Sequence, residues 1–169
     1  PTPATRLACG NTSSRLPAVQ LPPVQMVWGL RAALDMLIEE GLEQAVARHA
    51  RLAEAVRRCV LAWSAGGAIE LNALRPEECC NGVTTLRTGP GIDAKALRVL
   101  LRERFAISLG GGLGELEGKA LRIGHMGDVN ATTMLGVLAG VEAGLRRAGV
   151  PLGQGGLDAA IAWIAQSAS

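Results

Sequence analysis

The chain has 169 residues, of which 49% are apolar and 19% charged, with 22 glycines and a formal net charge of +2. That balance fits one globular domain with its own core and excludes a disordered tail. The basic residues are scattered and no aromatics are interleaved with them, so nucleic acid is not an expected partner. The most apolar stretch, Met134 to Leu145, is too short to span a bilayer and carries Glu142, so no membrane is expected either.

Residues 1–20 are rich in Pro, Thr, Ser and Ala without any period, and read as an irregular N-terminal segment. The chain opens at Pro1 without an initiator Met, which points to a fragment or a processed product. Residues 21–150 are expected to form one domain with long leading helices, and residues 151–169 a C-terminal linker with a short helix. After Pro22-Pro23, the apolar residues Val27, Leu30, Leu34 and Leu37-Ile38 recur at three and four, predicting a helix over 24–40 that Gly41 breaks. A second helix follows over 42–63, with Leu42, Val46, His49, Leu52, Val56, Val60 and Trp63 on one face. The two are expected to pack on a common sheet face. Strands are predicted over 68–74, 81–88, 105–109 and 119–125. Asp93 caps a predicted helix over 94–104, and Asn130 one that runs to Arg147. Gly110 to Gly114 reads as a loop of unusual backbone freedom, and a last short helix covers 157–165. Helices and strands in this order, without strict alternation, indicate an α+β fold: a two-layer domain with a small, mostly antiparallel sheet.

Candidate chemistry is sparse. The glycines before Lys119 fail the phosphate-loop spacing, and Ala120 stands where a magnesium-binding hydroxyl is needed. No cluster has metal-ligand spacing. Cys9, Cys59, Cys79 and Cys80 include no C-x-x-C pair and read as reduced thiols of a cytoplasmic protein. His49 falls on a helix core stripe. His125 ends a strand beside Gly124 and Gly127, where a ligand has room. Arg122 lies between the core residues Leu121 and Ile123, so its side chain must leave by the other sheet face. There it would hold a carboxylate through two parallel hydrogen bonds or pair with a surface acid, and periodicity alone favours the surface pair.

Several longer motifs then carry a resemblance. The run Gly118-Lys-Ala-Leu-Arg-Ile-Gly-His-Met-Gly-Asp128, with Leu-Gly-Val-Leu-Ala-Gly-Val-Glu142 after it, resembles the C-terminal signature of class V pyridoxal-phosphate aminotransferases. The serine–glyoxylate and alanine–glyoxylate branch is the nearest. Pro22-Pro23-Val-Gln-Met-Val-Trp-Gly-Leu-Arg-Ala-Ala-Leu-Asp35, Ser108-Leu-Gly-Gly-Gly-Leu-Gly114 and Gly155-Gly-Leu-Asp-Ala-Ala160 fit the same register. The resemblance implies the small C-terminal domain of a fold-type I transferase. It implies transamination between serine or alanine and glyoxylate or a similar 2-oxo acid, in a homodimer. Arg122 would be the substrate-carboxylate arginine, with Gly112, Gly124 and His125 lining the site. The family's cofactor lysine precedes the matching segment, and neither Lys95 nor Lys119 stands in a motif like it, so pyridoxal phosphate is not expected on this chain and the chain alone is expected to be inactive. Leu21 replaces an expected Thr that binds the cofactor phosphate, which leaves the cofactor-binding residues open. The alternative is a non-catalytic interaction or regulatory module derived from the same fold.

Overall fold

A computed structural model describes residues 23–167. They divide into two compact units, with α1 in the first and everything from Gly41 onward in the second.

In the first unit, α1 (Val24–Glu40) forms where the three–four spacing predicts it. Its apolar side chains are bare: none is buried, and Met26, Trp28 and Ile38 are each more than 70% exposed. The apolar stripe that the spacing predicts is present in this unit.

The second unit begins with α2 (Leu42–Ser64), which buries Leu52, Ala53, Val56, Cys59, Val60 and Trp63 along one stripe. The sheet has the order β1-β2-β4-β3, where β1 is Ile69–Leu71, β2 Val83–Thr88, β3 Gly110–Gly111 and β4 Ala120–Gly124. Every pairing is antiparallel. Ile69, Thr84, Leu86, Leu121 and Ile123 share one face and are buried beneath the helices. α3 (Ala94–Phe105) contributes Leu97 and Leu101 to that core, and α4 (Ala131–Arg147) contributes Met134, Leu138, Val141 and Leu145. α5 (Gly156–Gln166) adds Ala160. The opposite sheet face carries Glu70, Val83, Thr85, Arg87, Gly110, Arg122 and Gly124, none of them buried, together with Ala120, which is buried. The result is the two-layer α+β arrangement with one open sheet face.

Both predicted caps form. The Asp93 carboxylate accepts from the backbone N–H of Lys95 at 2.8 Å, and the Asn130 side chain accepts from that of Thr133 at 2.9 Å. Two expectations are corrected. Residues 105–109 are not a strand: Phe105 still belongs to α3, and Ala106 ends the helix in the left-handed conformation at φ 54°. The apolar character of this run is used against α4 instead, where a Cβ on Gly140 would come within 2.4 Å of Ile107 Cδ1. The glycine loop is also partly strand, because Gly110 and Gly111 pair with Arg122 and Leu121. No described helix is long and apolar enough to cross a membrane.

Candidate functional site

The open face is organised around Arg122. Its register partners are Thr85 on β2 and Gly110 on β3. Its Nε donates to the carbonyl oxygen of Gly111 at 2.7 Å. Gly110 leaves the space for this, since a Cβ there would stand 3.1 Å from Arg122 Cβ and 3.2 Å from Nε. The guanidinium thus lies across the edge strand, with its two Nη groups left over. Among the described residues no carboxylate pairs with it, whereas Arg87 on the same face reaches Glu70 at 3.7 Å. Among the described residues the surface ion pair that periodicity favoured is therefore not formed.

The other candidate residues divide between the two faces. Gly124 shares the Arg122 face, is exposed, and has nothing within 4 Å of the space a Cβ would take. Gly112 serves the turn: a Cβ there would meet the backbone oxygen of Leu116 at 1.9 Å, so a side chain is excluded by backbone and not by a ligand. His125 continues the parity of Leu121 and Ile123 and is completely buried. Its Nδ1–H donates to the Asn81 carbonyl at 3.1 Å, and its Nε2 accepts from the Thr84 hydroxyl at 2.8 Å. Burial disfavours its charged form and lowers its pKa. The ring is a satisfied core histidine, and the structure does not bring it to Arg122. Leu21 lies outside the described residues.

Two residues of α2 reach the turn after β4. Arg48 Nη1 donates to the carbonyls of Gly127 and Val129 at 2.9 and 2.8 Å. His49 Nε2 lies 3.0 Å from the Gly127 N–H and 3.1 Å from the Gly127 carbonyl oxygen, accepting from the first or donating to the second according to its tautomer. This clamp holds the exit of β4, and so the end of the strand that carries Arg122.

Both lysines are exposed. Lys95 pairs with Glu117 at 2.9 Å on the surface, and that partner raises its pKa while lowering that of Glu117. Lys119 is exposed in the turn before β4. No group of three or more metal-ligating side chains exists among the described residues.

No protein-family model matches the chain. Single relatives do. A serine–glyoxylate aminotransferase from Arabidopsis thaliana is 42% identical over 144 residues, 85% of this chain and 35% of that protein. This segment is similar to the C-terminal part of pyridoxal-phosphate aminotransferases. Among solved structures, pyridoxamine–pyruvate aminotransferase from Mesorhizobium loti superposes with a TM-score of 0.79 at 35% identity, over 86% of this chain and 37% of that one. Ureidoglycine–glyoxylate aminotransferase from Bacillus subtilis does so with a TM-score of 0.73 at 31% identity, over 83% and 35%. The chain therefore spans about a third of the length of these relatives, and it matches the C-terminal domain of the aminotransferase fold.

Proposed function

We propose that this chain supplies the substrate-carboxylate side of a pyridoxal-phosphate aminotransferase that moves an amino group from serine or alanine to glyoxylate or a similar 2-oxo acid. The observation that carries the reading is the Arg122 guanidinium, on the open sheet face and without a carboxylate partner among the described residues. Amino acids and 2-oxo acids share one feature, a carboxylate beside the reacting carbon. Fixing that carboxylate to a planar, permanently charged donor orients the reacting bond and removes rotational freedom before reaction.

When bound, pyridoxal phosphate supplies the electron sink for such chemistry. Lys95 does not fit its covalent attachment. A nucleophilic amine needs a lowered pKa, and Lys95 has a raised one because Glu117 holds its ammonium. The part of these residues in the reaction is accordingly to hold and orient substrate, with the covalent step carried by residues outside this segment. The complete enzyme is a homodimer in this reading.

The test is kinetic, in the complete enzyme. Arg122→Ala raises KM for serine and glyoxylate by roughly 10- to 150-fold, the loss of a charge-assisted hydrogen bond of about 1.5–3 kcal/mol. Arg122→Lys recovers part of the loss, because charge remains but the fork does not. Cofactor affinity, read by absorbance titration, stays unchanged. Equal losses in substrate and cofactor binding, or no change in KM, would overturn the assignment.

A further inference from the structure

We infer that the two-glycine strand β3, braced from the helix layer by Arg98, sets the direction of the Arg122 guanidinium, which makes Gly110 and Arg98 positioning residues for carboxylate binding. The inference rests on the reading of Arg122 given above.

β3 is an edge strand of two residues, so its own ladder is too short to fix a side chain lying on it. Two arginines make up for this from opposite sides. On the open face, Arg122 crosses Gly110 and donates Nε to Gly111 O at 2.7 Å. On the helix side, Arg98 of α3 donates Nε to Leu109 O at 2.9 Å, and its Nη1 lies 2.8 Å from where a Cβ on Gly111 would be. Each glycine of the strand therefore has a guanidinium over one face. Side chains at 110 and 111 would displace one arginine each.

The consequence for a ligand is directional. With Nε engaged by the strand, the donors left to Arg122 are the two Nη groups, a fork presented end-on beyond β3. A long arginine side chain loses much of its rotamer freedom when it is fixed. Here much of that ordering is done before a ligand arrives, which is the condition for tight carboxylate binding. Gly110 also has no left-handed backbone, so alanine there brings no such strain, and its effect must come through the Arg122 side chain, whose Cβ and Nε would lie 3.1 and 3.2 Å from the new methyl group.

The experiment compares Gly110→Ala, Arg98→Ala and Arg98→Lys with Arg122→Ala in the complete enzyme. For Gly110→Ala and Arg98→Ala, KM for serine and glyoxylate rises on the order of 10- to 100-fold, as expected for a misplaced orienting group. The value of kcat and the thermal midpoint change little, and Arg98→Lys restores part of the KM. In this chain the Arg122 Nε–H resonance, sharp and slowly exchanging in the parent, becomes averaged in both variants. If Gly110→Ala fails to fold, the Arg98 pair decides. Unchanged KM in Gly110→Ala and Arg98→Ala, alongside a raised KM in Arg122→Ala, overturns this inference and leaves the carboxylate reading standing. Unchanged KM in all three overturns both.

Discussion

Replacing Thr84 by Val tests whether the buried His125 is a structural group. The Thr84 hydroxyl donates to Nε2 at 2.8 Å in a site where the ring has no solvent access. Valine keeps the shape but leaves an acceptor nitrogen buried and unpaired, which costs about 1–3 kcal/mol. At roughly 4 °C per kcal/mol for a domain of this size, the thermal midpoint should fall by about 4–12 °C. Thr84→Val combined with His125→Leu removes both partners. The Asn81 carbonyl that loses its donor belongs to an exposed residue and can turn to water. The double variant should therefore lose less than the sum of the two single variants, by about 0.5–3 kcal/mol. The pair also has a pH signature. Burial holds the folded-state pKa of His125 below its ordinary value of 6.5, so protons bind preferentially to the unfolded chain. Stability from this group is complete above about pH 6.5 and is lost as the pH falls through the lowered value, by at most about 1.4 kcal/mol per pH unit. The double variant should lack that dependence. Thermal unfolding followed by circular dichroism at several pH values reads all of this. Additive losses in the double variant, or a shift under about 1 °C for Thr84→Val, would refute the account of His125.

Two further outcomes follow from the same geometry. Cys80 is exposed, and backbone hydrogen bonds from Gly82 and Val83, assisted by Arg57, hold its thiol below the ordinary range. Burial, with Glu142 nearby, pushes Cys59 up to about 12. Iodoacetamide near neutral pH should therefore alkylate Cys80 readily and Cys59 only after unfolding, as peptide mapping will show. Gly112→Ala should abolish or gravely weaken folding, since its Cβ would meet the Leu116 carbonyl at 1.9 Å and backbone cannot give way as a side chain can; a native-like unfolding transition would contradict this.

The elements that sequence reveals best are those in which one period controls both local structure and burial. In α3 and α4 the caps at Asp93 and Asn130 and the buried apolar residues coincide, and in α2 the stripe is buried from Leu52 to Trp63, while Leu42 and Val46 at its start stay exposed. β4 was legible from the alternation of Leu121 and Ile123 with Arg122, which also gave the correct exit face for the arginine. β3 was not, because glycine carries no strand signal, and its pairing depends on partners brought in by tertiary structure. The end of α3 was hidden for a related reason: the left-handed stop falls on Ala106, where glycine is the usual signal. His125 was open to misreading through its glycine neighbours, although its parity with Leu121 and Ile123 already placed it on the buried face. The clamp made by Arg48 and His49 joins positions almost eighty residues apart, and no local pattern announces such a contact.

Direct sight of a carboxylate on Arg122 bears hardest on the whole account. A structure of the complete, cofactor-loaded enzyme with a non-reactive 2-oxo acid or amino-acid analogue should show both carboxylate oxygens at about 2.7–2.9 Å from the two Nη atoms of Arg122. Nε should still be donating to Gly111 O in that complex. A carboxylate anchored elsewhere, with Arg122 instead paired to an acidic side chain, would contradict it.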